Sequence, residues 1–391
     1  MDKARKILLL GGTAIQIPCI KKAKEMGLYV ITCDNRPDNP GHALADEYHN
    51  VSITDKEAVF ALAKELKVDA VVNYILEAGI QAAAYAQERL SKPTSPYDSV
   101  HILSNKNLFR KFLKEHGFNV PKVYDVGDDI EYPVVVKPAD LWGSRGVSKV
   151  ERKEDLQKAI DYAMNNSLHG EIIIEQFIEP FGAPIEGDGF AVDSKFGVHG
   201  WSDCIDDPSA PNCTTPTMFC YPSSHSTQVL DKLDSEVQRL ISLLNMKTNG
   251  YNIEARVTKK GKVYLMEVAP RSGGNAHPDI VSMATGIDLT ELTLRAALGE
   301  DCSQALSHDF NGVWMSHIVH SNTPAVYHGI EIDDNFRRKN LISYTPYINE
   351  GDDISPYSGT NCSVGLLVAR FGTREEMNNA AKNINELIRL L

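Results

Sequence analysis

Residues 251–268 constrain the chain more tightly than any other stretch. Tyr251-Asn252-Ile253-Glu254-Ala255-Arg256-Val257 and Val263-Tyr264-Leu265-Met266-Glu267-Val268 alternate as strands do, with Lys260-Gly261 between them as turn residues. A two-residue loop there sets an antiparallel register that pairs Glu254 with Glu267. Like charges opposed on a sheet, with Cβ atoms roughly 4.5–5.5 Å apart, destabilise it. A cation between the carboxylates relieves that repulsion, and hard oxygen ligands suit Mg²⁺. Pro270-Arg271-Ser272-Gly273-Gly274-Asn275 follows at once, and Arg271 adds a positive donor suited to phosphate chemistry. A solvated hairpin with two exposed glutamates fits this segment equally well. Lys-Gly is also a weaker turn signal than Asn-Gly, so a bulged turn is able to shift the register.

A chain of 391 residues exceeds what one core usually supports, so several domains or subdomains are expected. A formal charge of −12 and a pI near 5.5 argue against a nucleic-acid-binding surface. No run approaches the roughly 20 apolar residues of a membrane span. Ile7–Leu10 is too short for a signal-peptide core. Seven cysteines without a Cys-x-x-Cys pair indicate reduced thiols and a cytoplasmic location. Cys204, Cys213 and Cys220 lack the paired spacing of a metal cluster.

The first hundred residues alternate strand and helix: strands at Lys6–Leu10, Tyr29–Cys33 and Ala70–Asn73, helices after Gly11-Gly12-Thr13 and over Lys56–Leu66. This pattern predicts a parallel sheet with any ligand at the carboxyl ends of its strands. The glycine turn is not Gly-x-Gly-x-x-Gly, so a dinucleotide site is disfavoured. Asn73 and Glu77 flank a strand exit, where substrate contact and helix capping are both open. Ser91–Tyr97 reads as a linker. An amphipathic helix over Asn105–His116, a strand Tyr132–Pro138, a helix near 153–165 and a strand Ile172–Ile178 come next. From Gly182 the pattern is mainly β, interrupted by a helix over Ser235–Leu244. Short helices are expected near Asp279–Thr285 and Leu289–Leu298, then a β-rich region and a terminal helix over Glu375–Leu391. The boundaries drawn are 1–97, 98–180, 181–310 and 311–391.

Lys137 ends a strand just before Gly143-Ser144-Arg145-Gly146, and backbone amides of such a loop are able to cover phosphate oxygens. No Gly-Lys-Ser/Thr follows, so it is not a Walker A loop. Lys106, near a helix start, adds a further point charge, and the strand end at Glu175–Ile178 offers backbone and carboxylate partners for an adenine amino edge. His199–His225 holds Trp201, Asp203, Asp206, Asp207, Cys213, Phe219, Tyr221 and His225. It reads either as an acceptor pocket or as an excursion packing its aromatics inward. His277 reads as a proton-transfer group or as a capping or packing residue.

Taken in order, Ser104-Asn105-Lys106, Tyr132–Pro138, Gly143–Gly146, Ile174–Ile178 and Glu267–Asn275 resemble the motifs of the ATP-grasp superfamily, of carboxylate–amine ligase type. The resemblance covers roughly residues 1–300 and extends to one unit of a carbamoyl-phosphate synthetase large subunit. It implies an α/β and α+β multidomain fold: an N-terminal Rossmann-like domain, a lysine-bearing lid, a carboxylate-bearing part and a small C-terminal β-rich extension. It further implies ATP and Mg²⁺ (or Mn²⁺) as cofactors and small-molecule carboxylate and amine substrates, and it allows a homodimer.

By the same resemblance Lys106 and Lys137 would contact the ATP phosphates, and Ser144, Arg145 and Gly146 would form the closing loop. Glu175, Gln176, Phe177 and Ile178 would hold adenine, and Glu254 and Glu267 would bind metal. Arg271 would stabilise the transferred phosphoryl group, with Asn275 beside it. Two departures stand out. Ala269 replaces the asparagine common two residues after the second metal glutamate, and Glu186 takes the place of the ribose-binding acid only loosely. The implied activity is ATP-dependent activation of a carboxylate as acyl phosphate and its coupling to an amine or ammonia. The alternatives are a carbamoyl-phosphate synthetase-like enzyme and a non-catalytic ATP-binding or regulatory protein.

Overall fold

The computed structural model describes residues 4–141, 143, 145–210 and 215–391. Four strands form the first sheet: β1 (Lys6–Leu10), β2 (Tyr29–Cys33), β3 (Glu47–His49) and β4 (Ala70–Asn73), all parallel, in the order β3-β2-β1-β4. Its interior strands are near-continuous apolar runs because helices cover both faces. Beneath the turn after β1, the buried Gln16 side chain donates to the Leu10 and Tyr74 carbonyls. Tyr97, read as linker, instead opens a helix over Tyr97–Ser104 behind Pro96.

A second sheet holds β5 (Val123–Tyr124), β6 (Val134–Pro138), β7 (Ser148–Val150) and β8 (Ile172–Gln176), in the order β5-β8-β6-β7. The helix Lys153–Asn166 packs Ala159, Ile160 and Ala163 against it.

The largest sheet begins with β9 (Ile185–Val192), β10 (Lys195–Asp206), β11 (Pro216–Tyr221), β12 (Asn249–Val257) and β13 (Val263–Ala269). Beyond them lie β14 (Val313–Val319), β15 (Ala325–Val326), β16 (Ile330–Ile332), β17 (Leu341–Pro346), β18 (Asp353–Ile354), β19 (Gly365–Phe371) and β20 (Ile388–Leu390). Strands β14, β19 and β17 extend the same sheet, whose order is β13-β12-β9-β10-β11-β14-β19-β17. The helix Thr227–Leu243 covers one face through Leu233, Val237 and Leu240, and the helix His277–Thr285 covers the other through Ile280 and Ala284.

Two local expectations are corrected. The terminal helix ends at Lys382, a short helix Ile384–Leu387 follows, and Ile388–Leu390 pairs as a strand with β16. The apolar residues there reach the core more fully as a paired strand, with Ile384 and Ile388 buried. The hairpin loop holds three residues, Lys259–Gly261, because Val257 pairs with Val263 and Thr258 N donates to the Lys262 carbonyl. That shifts the register by one, and a bulge between Glu254 and Ala255 shifts it back. Glu254 therefore still opposes Glu267.

Candidate active site

A cleft of about 140 Å³ opens between the second sheet and the β12–β13 hairpin. Lys106, Lys137, Glu175, Gln176, Phe177, Ile178, Glu254 and Glu267 all line it, as do Gly143 and Arg145 of the glycine loop. Ser144 lies outside the described residues. Gly146 adopts φ +71°, and a Cβ there would meet Pro138 Cγ at 2.8 Å and Asn166 Cβ at 2.9 Å, so only glycine lets this turn close.

Asn105 caps the helix Lys106–Glu115 by accepting from the Asn107 and Leu108 amides, which sets Lys106 at the first turn. Lys106 Nζ donates to the Leu141 carbonyl at 2.6 Å and lies 3.5 Å from Glu267 Oε2. Lys137, in the middle of the second sheet, donates to Glu175 Oε1 at 2.5 Å. Arg110 Nε donates to the other Glu175 oxygen at 2.8 Å, and Arg110 NH2 to the Met266 carbonyl at 2.9 Å.

The Glu175 carboxylate is therefore fully engaged by two cations. Glu175 itself still lines the cleft at the strand end, beside Gln176, Phe177 and Ile178. Burial lowers the Lys137 pKa more than Glu175 raises it. Sequence reasoning missed Arg110; the available signal was one arginine on the buried face of an amphipathic helix, beside Phe109 and Leu113.

Across the large sheet three glutamates stand side by side, since Glu254 is the register partner of Glu267 on β13 and of Glu186 on β9. The Glu254 pKa is raised, first by desolvation in the cleft and then by Glu267 and Glu186. Glu267 is also desolvated, but Lys106, Arg271 and Lys137 outweigh this and hold its pKa down.

Glu186 is not among the residues that line the cleft. Its Oε1 accepts from Asn252 Nδ2 at 3.3 Å and lies 3.2 Å from His277 Nε2. His277 is wholly buried, and its Nδ1 meets the Tyr221 hydroxyl. Asn252 also donates to the buried Asp188, whose pKa burial pushes up to about 6 against the opposing pull of His277 and the Gly273 amide. Asn252 is the register partner of Ala269, and its side-chain amide is spent on Glu186 and Asp188.

Arg271 is not a free donor. Its Nε and NH2 contact Glu77 Oε2 at 2.8 and 2.7 Å, and NH1 donates to the Ser272 carbonyl at 2.9 Å. Asn275 and Ala276, with φ 54° and 59°, turn the chain into the helix His277–Thr285. Phe177 lies between Lys149 Nζ and Arg256 Cζ, 4.4 and 4.9 Å from its ring centroid, and Arg256 NH1 donates to the Ile178 carbonyl at 3.0 Å. Arg256 is a cleft residue that sequence reasoning passed over.

In the segment 199–225 several of the described aromatic and acidic side chains are engaged by neighbours. Trp201 donates to Asp234, Asp203 accepts from Ser223 and Ser224, and Phe219 and Tyr221 pack inward; Cys213 lies outside the described residues.

The sequence pattern of the ATP-grasp domain matches residues 130–279. The chain is 30% identical over 322 residues to a formate-dependent phosphoribosylglycinamide formyltransferase from Prochlorococcus marinus, covering 75% of this chain and 76% of that protein. The chain belongs to the ATP-grasp family. It is an ATP-dependent ligase of small molecules. It is also 24% identical over 333 residues to the carbamoyl phosphate synthase large chain of Pseudothermotoga lettingae, of which it covers 29%. Its fold matches that of an L-amino acid ligase from Bacillus licheniformis with a TM-score of 0.84 at 20% identity, over 100% and 99% of the two chains.

The residues present fit the family's ATP and Mg²⁺. Glu254 and Glu267 are two carboxylates whose mutual repulsion a cation relieves. Among the described residues no cluster of three His, Cys, Asp or Glu side chains forms a metal cage. Mg²⁺ is commonly held by one or two carboxylates together with substrate phosphates. Among the described residues no helix is long and apolar enough to cross a membrane.

Proposed function

We propose that the chain activates a small-molecule carboxylate as an acyl phosphate and couples it to an amine or ammonia, with ADP and phosphate as co-products. The observation that carries this reading is one cleft lined by Lys106, Lys137 and the Glu254/Glu267 pair, with Lys106 Nζ 3.5 Å from Glu267 Oε2. Lys106 and Lys137 offset triphosphate charge while a carboxylate oxygen attacks the γ-phosphorus in line and ADP departs. Mg²⁺, when bound by Glu254 and Glu267, would neutralise charge on the phosphate oxygens.

The Gln176–Ile178 backbone takes the adenine edge, and the loop bearing Gly143, Arg145 and Gly146 excludes water from the acyl phosphate. Arg271 stabilises the acyl phosphate oxygens. The amine nitrogen then attacks the acyl carbon, phosphate leaves, and the surplus amine proton passes to solvent.

The test is incubation with MgATP, a panel of carboxylates and hydroxylamine, measuring ADP and hydroxamate. Both products should form with a particular carboxylate and vanish in Lys137→Ala and Glu267→Ala. Tight ATP binding with no ADP formed across the panel would favour a binding protein instead.

A further inference from the structure

We infer that the Glu77–Arg271 pair marks the seat of the substrate carboxylate and selects a zwitterion, a carboxylate bearing an ammonium group close by. This rests on the ligase reading. Glu77 opens the turn Glu77–Gly79 immediately beyond β4, at the carboxyl end of a parallel sheet, where open α/β sheets receive ligands. Arg271 follows β13 and its metal-site glutamate.

The two side chains meet through the Nε/NH2 edge of the guanidinium at 2.8 and 2.7 Å, each 11% exposed. That edge is the one that grips a carboxylate in a fork. NH1 is already committed to the Ser272 carbonyl at 2.9 Å. A substrate carboxylate reaches Arg271 in the same geometry only by taking the place of Glu77.

The charge balance then decides which carboxylates are able to do so. A simple anion would pair with Arg271 and strand Glu77 as a shielded carboxylate without its cation, which is costly. A zwitterion supplies both missing partners: its carboxylate goes to Arg271 and its ammonium to Glu77. The exchange replaces one ion pair with two and leaves neither side chain without a partner. No bond is made or broken in it, and the activated oxygen ends beside Arg271, where acyl phosphate charge develops. Glu77 thus acts as a specificity-determining residue from the first domain.

The test compares amino acids with des-amino carboxylates of the same carbon skeleton, such as alanine with propionate. ADP release is measured with MgATP and hydroxylamine, in wild type and Glu77→Gln. Wild type should prefer the amino acid by about 100-fold or more in kcat/KM, as sites built to bond a polar group reject analogues lacking it. Glu77→Gln should weaken the amino acid, improve the des-amino acid and collapse the preference.

The same pairs are titrated calorimetrically onto protein saturated with Mg²⁺ and a non-hydrolysable ATP analogue. Equal use of both classes by wild type, or an equal loss for both in Glu77→Gln, would overturn the inference. If no carboxylate releases ADP, the ligase reading fails, and the titration still decides the seat. Glu77-dependent binding of amino acids over their des-amino partners supports it, and absence of amino-acid binding overturns it. Glu77→Ala, with a different volume change, should give the same ordering.

Discussion

Lys137 Nζ lies 2.5 Å from Glu175 Oε1, with the two side chains 11% and 1% exposed. Arg110 completes the group from the helix Lys106–Glu115, so one carboxylate binds the strand carrying Lys137 to the helix carrying Lys106.

Removing that carboxylate should be severe. Burial raises the Glu175 pKa, but Arg110 and Lys137 outweigh it and hold the group down to about 2, against an ordinary 4.5. Because the folded value is depressed, the stabilisation is fully present above pH 4.5 and fades as pH falls toward 2. Glu175→Ala should cost about 3–5 kcal/mol near neutral pH, since it strands two buried cations. In urea denaturation the stability gap between wild type and Glu175→Gln should narrow across that acid window, by at most about 1.4 kcal/mol per pH unit. A gap that does not change with pH would contradict the ion-pair account.

Glu254 trades stability for function. Its opposition to Glu267 is a like-charge contact, so Glu254→Gln should stabilise the metal-free protein by up to about 1 kcal/mol. MgATP-dependent ADP formation should fall by about 100-fold or more, as metal-held phosphate charge is lost. Thermal unfolding without divalent cations, paired with an ADP assay, reads both; a loss of stability would argue against repulsion between the two.

Asn252→Ala should destabilise without a gain elsewhere. It removes a donor from Asp188, which is wholly buried and keeps only the Gly273 amide among its described hydrogen-bond donors. The expected cost is about 1–3 kcal/mol, the penalty for under-satisfying a buried acceptor. Chemical denaturation checks it, and a loss near zero would place the burden on Gly273 alone.

Arg256 restrains the cleft-lining segment after β8, the proposed adenine seat, through the Ile178 carbonyl and the Phe177 ring. Arg256→Ala should raise the ATP KM by roughly 5- to 10-fold with kcat little changed, the pattern of lost uniform binding. Steady-state kinetics in ATP distinguishes this from a drop in kcat, which would put Arg256 in the chemical step.

Local pattern alone determined much of this protein. The strands Lys6–Leu10, Tyr29–Cys33 and Ala70–Asn73 and the helices Lys56–Leu66 and Leu289–Leu298 all follow from periodicity, whereas the expected Glu254/Glu267 opposition is reached through a three-residue loop and a compensating bulge. The order of lysines, glycine loop and glutamates pointed to the family. Tertiary structure alone decided which charges are free to act. Glu175 is spent on Arg110 and Lys137, Glu186 turns to Asn252 and His277, and Arg271 is held by Glu77, 194 residues away in sequence. The same holds for the final strand, which pairs with β16 instead of continuing a helix. The physical reason is common to all of these. Backbone propensity and side-chain alternation act over a few residues, whereas a shielded charge takes its partner from whatever element the fold packs beside it.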